Sequence, residues 1–100
     1  GIYALENNVE RLKEDHNNAQ RIAETLSGLD WANIDPKNVE TNIIYFDTPA
    51  HSAEQIVAQM KKKGILCSAF ADRAIRMVTH LGISAQDVDE IRRLLREVKV

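Results

Sequence analysis

The spacing of apolar residues changes repeatedly along this chain, from the three-and-four periodicity of a helix to the dense β-branched runs of strands, with only a few residues between one pattern and the next. One hundred residues can build a single modest core, so every apolar stripe must be buried against the others within one domain. The fold class this implies is α+β, a two-layer sandwich in which a small, largely antiparallel sheet carries helices on one face.

From Val9, the apolar or small positions Leu12, His16, Ala19, Ile22, Ala23, Leu26 and Leu29 line one side of a helix, which the chain enters at once with no N-terminal tail. Glu10, Lys13, Glu14, Asn17, Arg21 and Glu24 occupy its watery side, and Ser27-Gly28 supplies the stop, with glycine suited to a left-handed cap. Asp30 to Ile34 is short and compatible with a strand, and "DPKN" (Asp35 to Asn38) reads as a turn. "TNIIYFD" (Thr41 to Asp47) is the clearest strand, being rich in β-branched and aromatic residues.

"SAEQ" (Ser52 to Gln55) offers a capping box for a second helix whose buried stripe is Ala53, Ile56, Val57 and Met60. Lys61, Lys62 and Lys63 suit the negative end of its dipole before Gly64 ends it, which explains the triplet without a binding role. Ile65 to Phe70 and Ile75 to Thr79 are apolar runs joined by "ADRA", short enough for a hairpin that pairs them antiparallel. Ser84 with Asp87 caps a third helix, with Val88, Ile91, Leu94, Leu95 and Val98 inside and Arg92, Arg93 and Arg96 in solvent.

Composition removes several classes of function. A net charge of -2, a pI near 5.9 and 5% aromatic residues give neither the basic field nor the stacking surface that nucleic acid requires. The single cysteine, Cys67, lies in an apolar run and has no internal partner, which suits a reducing, cytoplasmic setting. No apolar run approaches the ~20 residues that span a bilayer, and no membrane role is expected. The chain opens on Gly1 rather than methionine, as expected of a piece of a longer polypeptide.

Catalytic constellations are sparse. His16, His51 and His80 have no ligand-spaced partners, so no metal site is expected. No glycine-flanked serine elbow exists for nucleophilic catalysis, and the four glycines are scattered rather than gathered into a phosphate loop. "KEDH" (Lys13 to His16) gathers acid, base and histidine in one turn. His16, however, falls on the apolar stripe as a boundary residue, and Lys13 and Glu14 read as surface charges.

Arg76 stands apart, because a guanidinium inside the apolar run "AIRMVTHLGIS" (Ala74 to Ser84) asks for an anion. On a strand its side chain points away from the face that takes Ile75 and Met77. Arginine offers a permanently charged planar fork that matches a carboxylate in two hydrogen bonds, which lysine does not. The residues alone narrowly favour a plain surface arginine over a ligand clamp, and Arg73, in the preceding turn, reads as surface.

Four segments, taken together and in order, carry a family resemblance: "NNVERLKEDHNNAQRIAETL" (Asn7 to Leu26), "VETNIIYFD" (Val39 to Asp47), "KGILCSAF" (Lys63 to Phe70) and "IRMVTHLGIS" (Ile75 to Ser84). The chain resembles, over essentially its whole length, the C-terminal small domain of the low-specificity L-threonine aldolases, enzymes of the aspartate aminotransferase fold that use pyridoxal 5'-phosphate. Gly82 departs from the family, which commonly has aspartate there.

The resemblance implies that residues 1–100 form the small domain of a larger enzyme. That enzyme would cleave L-threonine or L-allo-threonine to glycine and acetaldehyde, in threonine catabolism and glycine biosynthesis. It also implies that Arg76 binds the α-carboxylate of the amino-acid substrate. Holding that group fixes rotation about the bond from nitrogen to Cα, which decides the Cα bond that breaks. The Schiff-base lysine and the phosphate-binding loop belong, by the same resemblance, to a large domain outside this chain. This fragment then contributes no catalytic, cofactor-binding or metal-binding residue and is expected to be inactive alone. The partners implied are the large domain of the same polypeptide and further subunits of a homotetramer. Two alternatives remain: the small domain of another enzyme of this superfamily, such as an aminotransferase or β-eliminating lyase, or a free-standing amino-acid-binding or interaction module.

Overall fold

A computed structural model describes residues 3–5, 13–39, 42–79 and 83–99. In chain order the elements are β1 (Tyr3–Ala4), α1 (Lys13–Leu26), a single 3-10 turn (Pro36–Asn38), β2 (Ile43–Asp47), α2 (Ala53–Lys62), β3 (Ile65–Leu66), β4 (Ser68–Ala71), β5 (Ala74–Val78) and α3 (Ala85–Glu97). Strands β2, β5 and β4 form an antiparallel sheet in that order, and β1 pairs with β3 in parallel. The expected α+β sandwich, with helices on one face of a small and largely antiparallel sheet, is what the chain adopts.

Alternation along the strands decides which face is covered. Ile44 and Phe46 on β2, and Ile75 and Met77 on β5, are buried in one cluster with Ile22 and Leu26 of α1, Ile56 and Met60 of α2, and Ile91 and Leu95 of α3. Trp31 joins this core against Phe46, the two rings tilted with centroids 6.1 Å apart.

Local sequence sets the helix ends. Ser84 accepts the Asp87 N–H at 3.1 Å while the Asp87 carboxylate accepts the Ser84 N–H at 2.9 Å, closing the expected box at the start of α3. At α2 the Ser52 hydroxyl accepts the Gln55 N–H at 3.2 Å, which is the serine's half of such a box. Gly64, at φ 87°, takes the left-handed conformation that follows α2. Gly28 does not: α1 stops at Leu26 through 3-10-type bonds, Gly28 N–H to Thr25 carbonyl and Leu29 N–H to Leu26 carbonyl, with no left-handed residue.

Other expectations are corrected as well. The chain does not enter helix at once, because Tyr3–Ala4 is a strand. The Leu5 N–H donates to Leu66 (2.6 Å) and its carbonyl accepts from Val78 (3.0 Å), so this segment wedges between β3 and the end of β5. Asp30 to Ile34 is not a strand, and only Asn33 pairs, in an isolated bridge with Asp47. The apolar run from Ile65 to Phe70 is two strands, broken at Cys67, where it turns from β1 toward β5. His16 is exposed rather than on the buried stripe of α1. The stripe positions Val9 and Leu12, and His80 and Gly82, lie outside the described residues.

Polar contacts tie the layers. Arg92 is not merely solvated, since its Nε donates to the Thr25 hydroxyl at 2.7 Å and pins α3 to α1. Arg21 of α1 reaches Asp89 of α3, and Asn18 Nδ2 donates to the Ile83 carbonyl at 3.0 Å, holding the segment before α3. Thr79 locks the end of β5, its N–H donating to the Asn42 carbonyl (3.0 Å) while Asn42 Nδ2 donates to the Thr79 carbonyl (2.7 Å). No helix among the described residues is long and apolar enough to cross a membrane.

Candidate carboxylate site on the open face of the sheet

Strand β5 is central, and every second residue of it points away from the helices. Ile75 and Met77 are fully buried, so Arg76 between them emerges half-buried on the opposite face, as its position in the run requires. The register places Tyr45 of β2 and Ser68 of β4 directly across from it on either side. In such a cross-strand row the Cβ atoms of neighbours are about 4.5–5.5 Å apart, so the guanidinium stem runs between a phenol ring and a hydroxyl.

Among the described residues, no carboxylate takes up this charge. Ion pairs among the described residues join Arg21 with Asp89, Lys63 with Glu97, and Arg93 with both Glu90 and Glu97, and none reaches Arg76. Asp47, which the register brings to the same face two positions from Tyr45, is exposed and outside these pairs as well. Arg76 therefore rises from the central strand on the face opposite Ile75 and Met77 with no ion-pair partner among the described residues.

Beside it the face is aromatic. Tyr45 (45% exposed) and Phe70 (60% exposed) lean together over β5 in an edge-to-face contact, centroids 5.2 Å apart. With Ala74, Asp47 and Asn33 they line a shallow groove of about 480 Å³. Tyr45 and Phe70 were not singled out from the sequence. Alternation in "NIIYFD" does put Tyr45 on the face opposite Ile44 and Phe46, but the pairing that brings it beside Arg76 depends on strand order.

The other candidates are placed elsewhere. Arg73, at the hairpin tip, donates to the Pro49 carbonyl at 2.7 Å and braces the loop before α2. Cys67 is buried. Lys61 and Lys62 are exposed at the end of α2, while Lys63 pairs with Glu97 at 3.7 Å. No cluster of three potential metal ligands occurs among the described residues. On α3, the hydrogen bond from Arg93 holds the Glu90 carboxyl below the usual glutamate range, and the same bond raises Arg93.

No family model matches the chain. Among curated proteins it is similar to the low-specificity L-threonine aldolase of Escherichia coli K12, 37% identical over 91% of this chain and 26% of that protein. A probable low-specificity L-threonine aldolase 2 of Arabidopsis thaliana is 36% identical over 90% of the chain and 26% of its own length. The chain thus spans about a quarter of the relatives it matches, and the resemblance read from its segments holds over nine-tenths of it. Among solved structures it superposes on a phosphoserine aminotransferase from Cytophaga hutchinsonii, with a TM-score of 0.69 and 16% identity over 85% of this chain and 25% of that one. A NifS-like protein from Rickettsia africae gives 0.70 and 14%, over 85% of this chain and 28% of that one. At these identities the structures show the fold alone, which is that of a small domain in aminotransferase-fold proteins.

Proposed function

We propose that residues 1–100 are the C-terminal small domain of a pyridoxal-phosphate-dependent aldehyde-lyase. It would cleave L-threonine or L-allo-threonine to glycine and acetaldehyde, with Arg76 holding the substrate's α-carboxylate. The observation that carries the reading is the placement of Arg76: it is central in the sheet, on the uncovered face, and unclaimed by any carboxylate in the ion pairs of the described residues. Relatives named as threonine aldolases, each about four times the matched length, support the reaction and a larger partner domain.

The described residues of this chain do not fit the cofactor. Lys37, Lys61, Lys62 and Lys99 are exposed, Lys63 is engaged with Glu97, and the groove shared by Lys62, Lys63 and Lys99 is walled by Gln59 and Glu97 rather than by a phosphate-cradling loop. The proposal therefore leaves the cofactor to the remainder of the polypeptide and gives this chain the carboxylate. A fork that makes two parallel hydrogen bonds to a carboxylate fixes the substrate's orientation about its nitrogen–Cα bond. Arg76 binds and orients, and neither attacks nor moves a proton. Homo-oligomer assembly and a cytoplasmic setting belong to the same proposal.

The test is product analysis with the complete protein. Threonine should yield glycine and acetaldehyde. Release of oxobutyrate would instead assign a β-eliminating lyase, and transfer of the amino group to a keto acid would assign an aminotransferase.

A further inference from the structure

Several charges on α1 and α3 are settled between or within those two helices. Arg93 is paired with Glu90 and Glu97, Arg21 with Asp89, and Arg92 bonds Thr25, so the outer surfaces of α1 and α3 are furnished for water. The opposite side of the sheet is different. Its two large exposed apolar residues, Tyr45 and Phe70, lie together over the small Ala74 beside Arg76. Phe70 is a ridge shared by two grooves, one on this side toward Asn33 and Asp47, the other around the edge strand β4 toward Asp72 and Glu54 at the start of α2. The charged side chains in the walls of both grooves are all carboxylates, and none of them is in an ion pair among the described residues.

An exposed aromatic pair rimmed by unpaired like charges marks an interaction surface, and the charge of the rim specifies a basic partner. We infer that this aromatic and acidic face, centred on Tyr45 and Phe70, is where the larger domain of the same polypeptide seats, with apolar side chains over Phe70 and lysine or arginine opposite the carboxylates. The occupant follows from length, because about three-quarters of each curated relative lies outside the matched span. This rests on reading the chain as one domain of a longer protein. It places the domain contact immediately beside Arg76, so that the guanidinium stands at the edge of the seam rather than in open solvent.

Hydroxyl-radical footprinting of the complete protein tests this without substrate or cofactor, so a failed carboxylate clamp leaves the outcome untouched. Phe46 of the same sheet, buried at 3% exposure, is the internal standard for protection. The expected result is loss of labelling at Tyr45 and Phe70 down to the rate of Phe46, at a dilution where only single chains are present. Rapid labelling of both rings in the folded, complete protein overturns the inference. Protection that vanishes on dilution overturns it too, because the cover is then a second copy.

Discussion

Adjacent residues on β5 should respond oppositely to truncation, because alternation puts Ile75 in the core and Arg76 outside it. Ile75 is fully buried in the central strand. Cutting it to alanine removes its γ and δ carbons, about 2.4 kcal/mol at ~0.8 kcal/mol per buried carbon. The cavity left in a close-packed core brings the expected loss to roughly 3–4 kcal/mol. A domain of this size has about 5–15 kcal/mol in total, so Ile75→Val, at roughly 0.5–1.5 kcal/mol, calibrates the series if the alanine variant is marginal. Arg76→Ala should stay within about 0.5 kcal/mol of the parent, since no ion pair among the described residues is lost. Urea unfolding followed by Trp31 emission reads this out, because Trp31 is packed against Phe46 and becomes exposed on unfolding. Comparable losses at the two positions, with an unchanged urea slope, would refute the face assignment on which the site depends.

Three further outcomes follow from particular contacts. Ser84→Ala opens the α3 capping box and should cost about 1 kcal/mol, seen as a lowered Tm; an unchanged melt would mean the cap carries no weight. Glu90 has a depressed pKa, so its stabilising contact with Arg93 is present above the ordinary glutamate range and lost as pH falls through the lower folded value. The stability gap between the parent and Glu90→Gln should therefore be small at neutral pH, because the pair is exposed, and should close on acidification; a gap that widens in acid contradicts the sign. Incubated with pyridoxal 5'-phosphate, the 100-residue chain should give no stoichiometric adduct fixed by borohydride, and mapping such an adduct to one lysine would overturn the assignment of the cofactor to the remainder of the polypeptide.

The helices were legible because their signals are local. Ser52 and Ser84 sit where caps belong, and the stripes of α2 and α3 repeat long enough to define a face. Strand β1 was not legible, because two residues carry no period and their structure comes from Gly64 and Leu66, far away in sequence. For the same reason the run from Ile65 to Phe70 looked continuous: the break at Cys67 is imposed by a change of partner. Asp30 to Ile34 lost its strand because only Asn33 meets β2. At the candidate site, the alternation around Arg76 told which way it points, and arginine's chemistry told what it could hold. Its neighbours Tyr45, Ser68 and Phe70 are gathered by strand order and register, which the linear pattern does not specify.

The central claim is that Arg76 recognises a carboxylate, and the most direct test is affinity with and without that group. In the complete protein, binding of an amino acid and of the amine that lacks its carboxyl should be titrated against the parent and Arg76→Ala. Losing one partner of a hydrogen-bonded charge pair costs about 2–5 kcal/mol, so the parent should prefer the amino acid and Arg76→Ala should bind it at least ~30-fold more weakly. The variant should also lose the preference over the amine, while cofactor loading stays intact. Equal affinity of parent and variant for the amino acid, with the preference over the amine retained, would contradict the account.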